Sequence, residues 1–380
     1  MSVSTAKQEL GLRIAQARLA KSVGGAELGA LIGGDKTTIS KIESGTRSVD
    51  GVELALIAQR LDVGVRELLG MPPRQKVLAV ASRLRERGDG AAPALRRARQ
   101  ILEFDALLDE LEEPVDRVTA KATPQYDLGE DAETGAHVAR QLRASLGLGV
   151  DGVQNLEQFA ESQLGLDVAV EPLGSSASGV VVQAEGGTLV MVNSDEVHAR
   201  QRFTLAHEIG HFLLDDVDLI VEDDDDRPEL EERADAFAAE FLMPEEGLRR
   251  IGGGFDAPQV FVRTMLMFGV SRRALARRLE QLGLIDSPTR QSYEDADIGL
   301  MFRQAGQSDA FTEFESRVGR RRLPARIEAR GMAAYQRARI GIGPLAALMA
   351  RDALELEAEL DEAGLTPRAF DAIPLPADAL

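Results

Sequence analysis

The chain has 380 residues, 44% hydrophobic and 28% charged, which is ordinary for a globular protein and enough for two or three domains. Cysteine is absent, which excludes a disulfide framework and thiolate chemistry. No apolar run reaches the roughly 18 residues of a membrane span, and the first residues lack the apolar core of a signal peptide. The expected location is therefore the cytoplasm, with no membrane partner. The net charge of −19 is unevenly spread. Residues 1–121 hold 19 Lys and Arg against 17 Asp and Glu, a net of +2; residues 122–380 hold 25 against 46, a net of −21. Only the first part can approach a polyanion, so the asymmetry predicts two functions in one chain.

Residues 1–70 read as an all-α domain of five short helices. "ELGLRIAQARLA" places Leu10, Ile14 and Ala17 on one helical face. "GAELGALIGG" ends on a glycine pair, and "DKTTISKIESG" opens on Asp35 as an N-cap and closes at Gly45. Two further helices follow, and Pro72-Pro73 ends the unit. The stretch "AELGALIGGDKTTISKIESGTRSVDGVELALIAQRLDV" resembles the XRE (Cro/lambda-repressor-like) helix-turn-helix family. That resemblance implies a helix presented to the major groove of double-stranded DNA, bound as a homodimer. Lys36, Thr37, Thr38, Ser40, Lys41 and Arg47 are then the candidate DNA contacts, with Ile39 and Ile42 in the core. Ser44 and Thr46 are further candidates for phosphate or base contacts. The weak basicity of residues 1–70, 9 basic against 8 acidic, predicts few phosphate contacts per monomer.

Residues 71–130 read as a helical segment and linker. One or two helices are expected over 74–112, broken at Gly88–Pro93, and the proline-bearing stretch 113–130 is the linker. From 131 to 285 the texture is α+β. Two helices, "AETGAHVARQLRASLGL" and "VQNLEQFAESQLGL", precede three β-branched runs, "DVAVEPL", "ASGVVVQAE" and "GTLVMVNS". These are three expected strands, the last two joined by a hairpin turn. Helices are expected at 196–214, about 229–243 and 257–283. Residues 286–380 read as a mostly helical region whose role the sequence leaves open.

The chemistry concentrates in "RFTLAHEIGHFLLDD". His207 and His211 lie one helical turn apart and can chelate one metal ion, while Glu208 can reach a water beside it. A downstream helix, "ELEERADAFAAEFLMP", carries Glu231 and Asp235 one turn apart. Asp235 is placed to accept a hydrogen bond from a ligating imidazole, though spacing does not say which one. Zinc, one per chain, suits a His/His/Glu donor set, and manganese stays open. In that reading Glu208 is the catalytic acid–base, taking a proton from water and returning it to a leaving amine.

"VNSDEVHARQRFTLAHEIGHFLL" followed by "EERADAFAAEFLMP" resembles the ImmA/IrrE family of metallopeptidases over roughly 130–285. The resemblance implies a gluzincin-like fold in which His207, His211 and Glu231 are metal ligands and Glu208 is the general base. It also implies a protein substrate, a helix-turn-helix repressor. The acidic insert "DDVDLIVEDDDD" between the two motif helices reads as a solvated loop, with a lid or an extra cation site as alternatives. Tyr293, Tyr335 and His198 are further candidates for a transition-state donor, and His137 is expected on a helix surface. The run "RVGRRRLPAR" at 317–326 reads as solvated arginines at a helix terminus, or as a site for nucleic acid or an acidic partner.

These readings combine into a DNA-binding regulator with a zinc endopeptidase domain that cleaves a repressor, or its own linker. Two alternatives stay open. The zinc domain can be a non-hydrolytic sensor or interaction platform, or the chain can be a toxin–antitoxin component.

Overall fold

A computed structural model describes residues 3–61, 63–71, 77–84, 92–111, 132–175, 177–216, 228–315 and 319–367. The chain divides into two compact units, Met1–Arg74 and Gln75–Leu380. The expected linker at 113–130 and most of the acidic insert lie outside the described residues. Among the described residues no helix is long and apolar enough to cross a membrane.

The first unit is all helical: α1 (Val3–Ala20), α2 (Gly25–Leu31), α3 (Lys36–Glu43), α4 (Gly51–Leu61) and α5 (Val65–Leu68). Its core joins Ile14, Leu28, Ile39, Ile42, Ile57 and Leu61, with Leu10 and Ala17 packed against it. Asp35 caps α3: its carboxylate accepts from the Thr38 amide at 2.8 Å, while the Thr38 hydroxyl faces the Asp35 amide at 3.3 Å. Arg18 Nε donates to Glu43 at 2.6 Å, tying α1 to the end of α3.

The second unit is α+β, mostly helical around a small sheet. The sheet has four strands in the order β1 (Val77–Leu84), β3 (Ala177–Ala184), β4 (Gly187–Asn193) and β2 (Asp167–Glu171). β2 runs parallel to β4, and the other two pairings are antiparallel. The three expected strands are present, with Val180 opposite Met191 across the β3–β4 hairpin. β1 corrects the helix expected there. "VLAVASRL" lies beside Arg-rich sequence that favours a helix locally, but its partner is about a hundred residues downstream, and non-local pairing overrides local propensity.

Both sheet faces are covered. Val168, Val181, Val190 and Val192 point into one core, shared with α7 (Ala132–Ser145), α8 (Leu156–Leu164), α9 (His198–Leu213) and α10 (Pro228–Leu242). The alternate residues Ala169, Val180, Val182, Leu189 and Met191 point into a second core. That core holds α6 (Ala92–Glu110), α17 (Ala325–Gln336), α18 (Ile342–Met349) and α19 (Ala353–Glu362). Burial on both faces is why "GVVV" and "LVMV" show no polar alternation. The helix expected over 257–283 is two, α12 (Pro258–Phe268) and α13 (Arg272–Gln281), parted at Gly269, whose φ of +64° ends the first in a left-handed cap. α11 (Glu245–Ile251) precedes them, and α14 (Ser287–Asp295), α15 (Ile298–Gln304) and α16 (Ser308–Glu315) follow.

Within the arginine run at 317–326, Arg321, Arg322 and Arg326 form a structural clamp, while Arg320 is exposed. Residues 317 and 318 lie outside the described residues. Arg321 pairs with Glu171 at 2.6 Å, Arg322 with Glu161 at 2.5 Å, and Arg326 with both Asp105 and Asp167 at 2.7 and 2.5 Å. These paired guanidinium groups tie the start of α17 and the residues before it to β2, α6 and α8.

Candidate metal centre

α9 lays Leu205, Ala206, Ile209 and Leu213 into the first core, which fixes its rotation. Gly210 lets α10 approach closely: a Cβ there would lie 3.1 Å from the Phe237 ring and 3.3 Å from the Ala234 Cα. α10 opens on Pro228, with Glu229 and Glu231 in its first turn where the helix dipole favours carboxylates. Glu231 thereby reaches both histidines, its carboxylate oxygens 3.4 Å from His207 Nε2 and 3.3 Å from His211 Nε2.

The two imidazoles are oriented from behind. His207 Nδ1 lies 2.7 Å from Asp235 Oδ1, and His211 Nδ1 lies 3.2 Å from Asp216 Oδ2. A carboxylate only accepts, so each Nδ1–H donates and each Nε2 is turned toward the centre. The two Nε2 atoms stand 2.9 Å apart. His207, Glu208 and His211 are all buried, while the side chains of Glu231 and Asp235 are 41% and 47% exposed, so the centre is reached from the α10 side. Glu208 rests against β3: a Cβ on Gly179 would lie 2.6 Å from its Oε1.

The electrostatics favour a cation. Burial works against a charged His211, but Asp216 and Glu231 outweigh it and push the imidazole up to about 9. Burial likewise resists a charged His207, and hydrogen bonds to Asp235 and Glu231 win there too. Burial opposes ionisation of Glu231, yet its hydrogen bonds with the two histidines hold it well below the usual carboxylate range. Four carboxylates surround two imidazoles, and Arg233 pairs with one of them, Asp216. One donor atom each from His207, His211 and Glu231 lies within 4.8 Å of the others, and this donor set fits a divalent metal.

Residues 161–280 match the family model of the IrrE N-terminal-like domain, peptidase family M78. The matched span holds β2, β3, β4, α9 and α10, and with them the whole cluster. Peptidases of the M78 family are generally metal-dependent, so the match and the donor set agree. No curated protein matches the chain. Comparison with solved structures finds ComR from Streptococcus suis at 13% identity, covering 94% of this chain and 96% of that one. Its TM-score is 0.16, a likeness that carries no argument.

The other expected residues fall outside this cluster. His198 is the first residue of α9, more than two turns before His207. His137 is exposed on α7, 2.7 Å from Gln141 Nε2. The Tyr293 hydroxyl donates to the Phe255 carbonyl at 2.6 Å, and Tyr335 is buried in the second core. Neither tyrosine is a donor at the metal centre. In the first unit Lys36, Thr37, Ser40 and Lys41 are exposed on α3, Ile39 and Ile42 are buried, the Thr38 hydroxyl serves the cap, and Arg47 pairs with Glu53 at 2.7 Å.

Sequence reasoning missed three participants. Asp216 sits inside the expected acidic loop, yet it is fully buried and holds His211. Arg233 pairs with it, and Gly179 makes room for Glu208. The spacing of Asp216, five residues after His211 and just past the helix end, was the available signal.

Proposed function

We propose that the M78 domain is a zinc-dependent endopeptidase and that the first unit carries it to double-stranded DNA as a homodimer. One observation carries the peptidase reading. Two imidazole Nε2 atoms and the Glu231 carboxylate converge, each imidazole is held by its own aspartate, and Glu208 is buried beside them. When bound by His207, His211 and Glu231, zinc supplies Lewis-acid polarisation of a peptide carbonyl and acidification of a water. Asp235 and Asp216 keep the imidazole tautomers that leave Nε2 free to ligate. Glu208 takes a proton from the attacking water and returns it to the leaving amine. Its contact with Gly179 holds the carboxylate against β3, so it acts from a fixed position.

The substrate we propose is a helix-turn-helix repressor, and self-cleavage near 113–130 is its intramolecular variant. The test begins with metal content of wild type and His211→Ala by mass spectrometry. About one zinc per chain, lost in the variant, is the expected result. Incubation of zinc-loaded wild type and Glu208→Gln with unfolded casein then reads hydrolysis. Metal in both proteins with no cleavage by wild type would end the peptidase reading. Intact chain after long incubation of both proteins would end self-cleavage alone.

A second reading, a metal-bound sensor without hydrolysis, draws on the 1% exposure of Glu208, which restricts its access to bulk water. Unchanged regulation in cells carrying Glu208→Gln would favour it. DNA binding by the first unit is tested by duplex retention of wild type against Lys36→Glu/Lys41→Glu; equal retention would remove that half of the proposal.

A further inference from the structure

A cleft of about 870 Å³ opens beside the metal centre. Its α9 wall is Val197, Arg200, Phe203 and Thr204, and the next residue on that helical face is His207. Its α10 wall runs from Glu232 and Asp235 to Met243, so Asp235 belongs both to the cleft and to the hydrogen bond that orients His207. The third wall is α13, and Ile298 and Phe311 close the far side. The distance from Arg200 to His207 along α9 is about 10 Å, the reach of roughly three extended residues.

Two properties define what this cleft accepts. Its surface includes Phe203, Ala236, Ala239, Met243, Ile298 and Phe311, which suits an apolar side chain. Five arginines, Arg200, Arg272, Arg273, Arg277 and Arg278, line it together with Glu232 and Asp235. Several of the guanidinium groups are engaged within the fold. Arg278 is buried on Glu240, and Arg272 donates to the Ala296 carbonyl. Arg277 differs: its Nε meets Glu294 at 2.8 Å while the side chain stays 70% exposed, so its terminal nitrogens face outward. Arg273, one turn earlier on α13, is exposed as well. A pair of outward guanidinium groups at that spacing is a receptor for carboxylates.

We infer that the cleft is a substrate-recognition subsite for a polypeptide segment that pairs an apolar side chain with acidic residues, a few residues from the bond cleaved at the metal. This inference rests on the peptidase reading for its link to cleavage, but the binding it describes does not. The apolar side chain enters between α9 and α10, and the acidic residues meet Arg273 and Arg277. Arg200 stands on the α9 wall of the same cleft, its Nε on Glu196 at 3.0 Å.

The experiment is fluorescence anisotropy with the intact zinc-loaded protein and three labelled decapeptides of alternating Leu–Glu, Leu–Lys and Leu–Gln sequence. The same peptides are then followed for cleavage by mass spectrometry. Wild type is expected to bind Leu–Glu about tenfold tighter than Leu–Gln, and Leu–Lys more weakly still. Arg273→Glu/Arg277→Gln is expected to abolish that preference, and Phe203→Ala to weaken binding of Leu–Glu and Leu–Gln alike. Arg263→Glu, an exposed charge change on α12 outside the cleft, should leave the preference intact and controls for an unspecific effect of added negative charge. Preferential binding without any cleavage supports the subsite and counts against the peptidase reading. Cleavage of all three peptides with no preference keeps the peptidase and overturns the subsite. A preference that survives the double variant overturns it as well.

Discussion

Asp216 and Asp235 occupy equivalent posts behind two different imidazoles, and they reach them by different routes. Asp235 is one turn from Glu231 on the same helix, so the E-x-x-A-D spacing displays it. Asp216 lies just past the end of α9, after a residue with φ of +58°, Asp215, that turns the chain back beneath His211. Removing either carboxylate frees an imidazole to rotate. Asp216→Asn and Asp235→Asn are each expected to lower zinc affinity about 10- to 100-fold, measured by competition with a chromophoric chelator. Glu208→Gln is expected to keep its zinc and lose about 10²- to 10⁴-fold in hydrolysis. Gly179→Ala forces a Cβ into the Glu208 carboxylate and should lose activity with metal retained. Equal activity in Gly179→Ala and wild type would show that the contact does not position the base. The pairing of His207 with His211 was legible because helical spacing is local, and Glu231 joined them through the family resemblance of its E-x-x-A-D helix. Gly179 was not, because its partner is on another element and a glycine in a strand has many reasons to be there.

Close helix contact at the level of elements is what makes the cluster possible. α7 and α10 meet at Gly135, where a Cβ would lie 1.9 Å from the Arg233 carbonyl oxygen. Substitution by alanine would gain about 1 kcal/mol of helix propensity. The overlap is with backbone that cannot step aside, and such overpacking costs typically about 1–3 kcal/mol. Gly135→Ala is therefore expected to be destabilising, seen as a lower urea midpoint at unchanged slope; an unchanged or raised midpoint would show that the two helices slide apart freely. Strands β2, β3 and β4 could be read from their β-branched runs and hairpin turn. β1 could not, since its strand state depends on pairing with β3 rather than on its own neighbours. The arginine run at 317–326 failed for the same reason: its acidic partners, Asp105, Glu161, Asp167 and Glu171, are distant in sequence and local charge counting does not find them.

Across the molecule, the sheet has to be covered twice. The family match ends at 280, and a fragment of 131–285 keeps most of the helices of the first core. It loses α14 and α15, which bring Tyr293, Met301 and Phe302 to that core, and it lacks α6, α17, α18 and α19, which would leave Val180, Val182, Leu189 and Met191 facing water. Such an apolar patch promotes association. The fragment 131–285 is expected to aggregate, whereas 75–380 is expected to run as a defined species on size exclusion; a monodisperse, folded 131–285 would show the second core to be dispensable. This dependence gives residues 286–380 a structural task that composition alone did not reveal.

The order of the second core has a further consequence during synthesis. β4 ends at Asn193 and α17 begins at Ala325, so about 130 residues must be added after the sheet is complete before its second face can close. At translation rates of about 5–20 residues per second this interval lasts on the order of ten seconds. Throughout it α6 is the one early helix, among the described residues, that covers that face. His207, His211 and Glu231 all emerge within the same interval, so the candidate centre can assemble on the ribosome before the fold that supports it is finished.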